Sequence, residues 1–244
     1  MMRKALWILA ILPLAVTACL FQFLPDKIPA HYNFAGEIDR WGSKYESFIY
    51  PICIIAIAIF WECLCSYYRK KSKTIEDDKQ RAEAANNAKV IGITAITITV
   101  FFNVMQYISL YKACTSTNLS VANVEIDSIK ITCILMGILF VFLGNIIPKT
   151  KPNGTIGLRC TYSMYNDVTW SKSNRFGGFA LVIVGVLTVI TSLIFNGTIS
   201  MILMMIYLIA SVIVMIMYAK KIYVHICTYI MQRLTHIYLV VEIS

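Results

Sequence analysis

Acidic and histidine side chains are scarce in this chain: 13 Asp and Glu and 3 His serve 244 residues, against 22 Lys and Arg. It has no His-Glu-x-x-His, no Gly-x-Ser-x-Gly and no phosphate-binding glycine loop. Zinc peptidase, serine hydrolase and nucleotide-hydrolysing chemistry therefore have no residues to run on. Glu62 is the sole acid inside an apolar run, which leaves an intramembrane protease without its catalytic pair. The eight cysteines show no paired spacing within one aqueous loop, so neither a disulfide framework nor a zinc site is expected. Cys63-x-Cys65, the one close pair, reads as buried apolar cysteine. We expect no enzyme, no cofactor and no metal.

Long polar stretches are also few. Some 58% of residues are apolar and mean hydropathy is +0.69, above what soluble domains show. The excess falls into six windows, 5–23, 48–67, 90–111, 129–147, 179–195 and 199–218. Each is long enough to cross a hydrocarbon core of about 30 Å, and lipid leaves a backbone there no partner but its own helix. The expected fold is an all-α, polytopic bundle of six transmembrane helices. Arg3 and Lys4 ahead of the first window, with "AVTACL" at its end, suit a retained signal-anchor better than a cleaved signal peptide, since five more spans follow.

Charge sets the orientation. With the N-terminus in the cytoplasm, inner segments hold 17 of the 22 basic residues; Lys27, Arg40, Lys44, Lys112 and Lys130 lie outside. This is the positive-inside pattern. The net charge of +9 thus reports a face drawn to anionic headgroups rather than to nucleic acid. The lipid bilayer is the first partner, and the cell membrane the expected location.

Two aqueous segments carry a pattern. The outer one reads "LPDKIPAHYNFAGEIDRWGSK". Pro25 and Pro29 stiffen the exit from the first span, Asn33 to Gly36 suits a turn, and Trp41 and Tyr45 suit the headgroup zone. His31 stands alone among acids without calcium-loop spacing, so a structured cap is expected rather than a metal site. The inner segment, 147–178, has five basic residues, one acid, two Pro, four Gly, two Tyr and a Trp. Lys149, Lys151, Arg159, Lys172 and Arg175 among Tyr162, Tyr165 and Trp170 suit headgroups or an acidic protein partner. Asn166 or Asp167 is placed to cap the fifth helix.

The outer segment resembles an N-terminal domain of unknown function common in membrane proteins of Gram-positive bacteria. The match lies in Leu24-Pro25, Ile28-Pro29-x-His31-x-Asn33-x-x-Gly36, Asp39 and Lys44. The inner one resembles the C-terminal domain of the SdpI family through Gly144-Asn145, Pro148-Lys149, Asn153, Gly157-Leu158-Arg159, Trp170-Ser171-Lys172 and Arg175. It departs at Cys160-Thr161-Tyr162-Ser163 and at Ser173-Asn174, where the family favours Thr-Pro-Trp-Thr and Thr-His. The resemblance implies membrane immunity to a secreted peptide toxin, with signalling through a transcriptional repressor held at the membrane. Domains are expected at 1–68 (two spans with the outer loop), 69–89 (charged linker, helix-prone from Ile75), 90–221 (four spans with the inner segment) and 222–244 (an amphipathic tail helix).

Other residues are singled out by physics alone. Gly137 and Gly144 in the fourth span, and Gly178 and Gly185 in the fifth, each lie seven apart. Such stripes let membrane helices approach closely, so these two helices should pack and clamp the inner segment at both ends. Glu62, Asn103 and Gln106 are polar within spans and need partners. For Glu62 the candidates are Arg159, with Asn145 nearby, or else water, Arg69 or Lys70. A small transporter or exporter lined by these three residues is the second reading of function, and an accessory subunit of a membrane complex the third.

Overall fold

A computed structural model describes residues 2–33, 37–115 and 127–243, with backbone alone for 234–243. Its helices are α1 (Met2–Leu20), α2 (Ile49–Thr74), α3 (Asp78–Thr115), α4 (Ser128–Ile146), α5 (Asp167–Ile194) and α6 (Gly197–Ile243). All six are long and apolar enough to cross a membrane, as the composition requires, and the protein is a polytopic helical membrane protein. The charged stretch after the second span is itself helical, interrupted only at 75–77 between α2 and α3.

Helices α1, α2 and α3 meet where Ala10, Ala58 and Ala95, each fully buried, let the backbones approach; Leu6 and Ile54 fill the rest. The second cluster of spans is built on glycine. A Cβ at Gly137 would stand 2.7 Å from the Gly185 carbonyl, and one at Gly144 would stand 2.6 Å from that of Gly178. Both distances are too short for any side chain, so the antiparallel α4–α5 seam expected from the seven-residue spacing exists because these four positions lack one. Along α3, 44% of the apolar window is buried, against 6% along α6; α3 is central and α6 lies at the rim. Asp127 ties the α4 and α6 starts together, accepting from Lys130 N (2.9 Å) and Gly197 N (2.7 Å). One carboxylate thereby serves two positive helix ends.

One expectation is corrected here. The tail, 222–244, is no separate helix: α6 runs unbroken from Gly197 to Ile243, because no Pro or Gly interrupts it after its first residue. At 1.5 Å per residue it is about 70 Å long, more than twice the hydrocarbon core. His225, Thr228 and Gln232 are exposed along it; the side chains of Thr235 and His236 lie outside the described residues. The structured cap expected of the outer segment takes the form of a two-stranded antiparallel hairpin of β1 (Lys27–Tyr32) and β2 (Ile38–Ser43). Pro29 is tolerated because both strands are edges.

Candidate functional site

The inner segment is a hydrogen-bonded knot. Asn166 caps α5 in a reciprocal box with Thr169, whose hydroxyl also donates to the Ser163 carbonyl (3.1 Å). Ser163, fully buried, donates to the Leu158 carbonyl (2.7 Å) and accepts from Cys160 N (3.0 Å). Asn174 is the hub: its Oδ1 accepts from Leu158 N (2.6 Å) while its Nδ2 donates to the Trp170 carbonyl (3.0 Å). Gly157 stands at φ +123°, a left-handed conformation open to glycine, and a Cβ there would strike Asn174 and the Trp170 ring. Trp170, 1% exposed, donates from Nε1 to the Thr150 carbonyl (3.1 Å). Asn153 turns the chain by accepting from Thr155 N and Ile156 N.

The knot joins both clusters of helices. Asn87 and Asn86 of α3 bind Lys151 N (2.9 Å) and the Lys149 carbonyl (2.8 Å), Tyr68 of α2 meets Thr155 (2.9 Å), and Lys79 pairs with Asp167. On the other side Pro148 lies against Gly178, where a Cβ would stand 2.5 Å from its Cγ. Tyr162 and Tyr165 pack on Tyr223 of α6. The segment is thus held at both ends, as the glycine spacing suggested. A polar cleft of about 540 Å³ opens between Tyr68, Lys71, Glu83, Asn87, Asn153 and Thr155.

The motif residues divide by burial. Gly144, Gly157 and Trp170 belong to the packed knot, whereas the side chains of Lys149, Arg159, Lys172 and Arg175 are exposed. Asn145 is exposed too and bonds the Val141 carbonyl of its own helix (2.8 Å). The Glu62–Arg159 pair is therefore wrong. Glu62, 8% exposed, instead accepts from Arg69 Nη2 (3.3 and 3.4 Å) and Ser66 Oγ (3.2 Å), and forms an ion pair with Arg3, whose Nε lies at 3.2 Å. Arg69, one of the expected alternatives, lies two turns along on the same helix, but Arg3 comes from the far end of the sequence and was not foreseen. Asn103 and Gln106 do share a buried face. Asn103 bonds the Thr99 carbonyl (2.8 Å), and Gln106 ties α3 to Thr17 of α1 (2.9 Å) and to the Ser47 carbonyl (3.4 Å). Gln106 is thus a strut between helices, whereas Asn103 is satisfied within α3.

At the opposite end the hairpin is pinned by Leu24 and Ile28, which bury against Leu110 and Ala113 of α3. Its polar motif residues face outward. His31 meets Asp39 at 2.6 Å, Arg40 meets Glu46 at 2.8 Å and Lys44 meets Asp26 at 2.8 Å. Lys44 holds the Asp26 carboxyl below the usual carboxylate range. Asn33 and Glu37 close the turn through reciprocal side-chain bonds; Gly36 lies outside the described residues, and Pro25 is half-buried at the hairpin's root. Beneath β1 a cavity of about 360 Å³ is lined by Tyr32, Met105, Ile108, Lys112, Ile129 and Met204. The Lys112 ammonium sits 4.9 Å from the Tyr32 ring centre.

Sequence reasoning missed Asn174, Ser163, Asn87 and Tyr68. Asn174 and Ser163 fall on the two family departures, and a polar side chain at each was the available signal.

Residues 8–55 match the model of a domain of unknown function (DUF1648), and residues 149–219 match that of the SdpI/YfhL protein family. The first match covers α1, the hairpin and the start of α2; the second covers the inner knot, α5 and the first half of α6. The chain is 23% identical over 206 residues to the immunity protein SdpI of Bacillus subtilis (strain 168), across 84% of this chain and 88% of that protein. No solved structure matches it.

Proposed function

We infer the function from membership: the chain is an SdpI-family protein with DUF1648 at its N-terminus, and so a member of a family of immunity proteins. It protects the cell that carries it from a secreted antimicrobial peptide toxin, without enzymatic chemistry, from the cell membrane. The observation that carries this reading is the position of the two aqueous segments. Both straddle the seam between α1–α3 and α4–α6: the hairpin covers a cleft shared by α3, α4 and α6, and the knot bonds both clusters. A peptide seated in the outer cleft therefore presses on the same seam that the inner knot spans. The outer cleft is mostly apolar, with methionines and one lysine, which suits an amphipathic peptide with an acidic or carboxylate end. At the other end, exposed Arg159, Lys172 and Arg175 on a rigid knot suit an acidic surface, and a transcriptional repressor held at the membrane is the partner we assign to them.

The test is survival of a toxin-sensitive Gram-positive strain expressing the protein, alongside Met204→Trp, which fills the cleft, and Arg159→Ala with Lys172→Ala, which strips the knot's surface. We expect Met204→Trp to abolish protection at unchanged membrane abundance. The surface variant should keep protection and lose only repressor retention. Full protection by Met204→Trp would overturn the cleft as toxin site. A transporter would instead need its polar span residues for a path, and Asn103, Gln106 and Glu62 are engaged in ties within the bundle. Protection that persists after the proton-motive force is collapsed is the matching expectation.

A further inference from the structure

A second cavity, of about 280 Å³, opens at the basic end of the α1–α3 cluster, and nothing in the immunity reading uses it. Its polar wall is Arg3, Glu62, Arg69 and Lys89, and its apolar wall includes Leu6 and Ala88. One carboxylate needs one cation, yet three line this space, two of them arginines that both touch Glu62. Arg3 meets Glu62 as an ion pair through its Nε, at 3.2 Å, and makes no hydrogen bond among the described residues. Glu62 is buried and further held by Ser66, so it serves as a fixed post that orients two guanidinium forks from different helices. Such forks match the oxygens of a phosphate group bidentately, and preorganisation by a buried carboxylate spares the binding step the cost of ordering long side chains.

We propose that this cavity binds a phosphate group, supplied by the headgroup of an anionic phospholipid of the leaflet at the protein's basic face. Three cations against one carboxylate leave a surplus of two positive charges. Arg3 lies ahead of the apolar window of α1, at headgroup depth rather than within the core. The volume is near the lower limit of small-molecule sites, about 300 Å³, which admits a phosphate with its glycerol. The apolar wall accepts the start of an acyl chain. Gly92 shapes that wall, since a Cβ there would stand 3.3 Å from the Met2 terminal carbon. Binding would join the start of α1 to α2 and α3 through one ligand.

The test is native mass spectrometry of the purified full chain with phosphatidylglycerol or phosphatidylcholine, with and without millimolar inorganic phosphate. We expect one phosphatidylglycerol retained per chain, no comparable phosphatidylcholine, and about tenfold weaker retention in Arg3→Ala. Arg3→Lys keeps the charge but not the fork, and should fall between the two. The control, Lys220→Ala with Lys221→Ala, removes two exposed cations elsewhere on the basic face and should stay near wild type. Arg3 is two-thirds exposed, so its replacement leaves the fold intact. Competition by inorganic phosphate supports the anion site; inorganic phosphate retained by a chain that does not retain phosphatidylglycerol overturns the lipid as its source. Equal loss in the control, or equal retention of both lipids, would reduce the effect to a generally basic face and overturn the proposal.

Discussion

The outer hairpin and the inner knot are both polar segments carrying a family pattern, yet they are held by opposite means. The hairpin rests on two apolar pegs, Leu24 and Ile28, and on surface ion pairs in which at least one side chain is exposed. Exposed pairs of that kind contribute little, about 0–1 kcal/mol each. The knot rests on buried amide and hydroxyl bonds around Asn174, Ser163 and Thr169, all fully enclosed, with Trp170 as its plug. Breaking one buried bond leaves a polar group with no water to replace its partner. A segment built like the hairpin can reshape around a ligand at small cost, whereas one built like the knot presents a fixed surface.

That contrast can be broken in several places. The largest effect is expected from Gly178→Val, which forces a side chain against Pro148 and the Gly144 carbonyl. It should destabilise the protein by about 3 kcal/mol and release the knot from α5, read as a lowered unfolding temperature in detergent. Next comes Asn174→Leu, which strands the Leu158 N–H in a buried site and should cost about 2 kcal/mol. An unchanged melting point there would mean the knot is looser than its bonds imply. Trp170→Phe removes the Nε1 donor to Thr150 and leaves part of the plug's volume empty, for about 1–2 kcal/mol. On the hairpin, His31→Ala with Asp39→Ala should stay below about 1 kcal/mol, and a double-mutant cycle should find little coupling.

The smallest effect is one of pH. The Asp26 carboxyl is held low by the Lys44 ammonium, so it binds its proton less readily folded than unfolded. Its contribution is therefore complete above the ordinary carboxylate pKa and is lost as pH falls through the lowered value. Hairpin amides should exchange faster, after correction for intrinsic rates, only below about pH 4. The bonds inside the knot are made by amides, hydroxyls and an indole, and its one carboxylate tie, Lys79 to Asp167, is exposed at the rim, so its amides should stay protected. Loss of protection in both segments together would erase the distinction between them.

Much of this was open to reading. The six helices follow from runs of apolar residues that lipid obliges to be helical. The α4–α5 seam follows from four glycines at matched spacing, and the Asn166 cap from residue type at a helix entrance. The hairpin was not legible: "KIPAHY" and "IDRWGS" lack apolar alternation, and one buried peg in the strands, Ile28, is too little to mark them. Nor was the unbroken α6, because two lysines and scattered polar residues look like an end although nothing in them stops a helix.

By itself, then, the sequence determined which segments enter the bilayer, which end is basic, and where two helices approach to backbone contact. Those depend on composition and on spacing along a single helix, which need no partner to be evaluated. Only the tertiary structure decided that Glu62 is satisfied by Arg3 and Arg69 rather than Arg159, and that Gln106 reaches Thr17. It alone showed that Asn174 and Asn87 stitch the knot to two helices. A buried charge or amide demands a partner but does not name one; the choice falls to whichever group packing brings within about 3 Å, and that distance is a property of the assembled bundle.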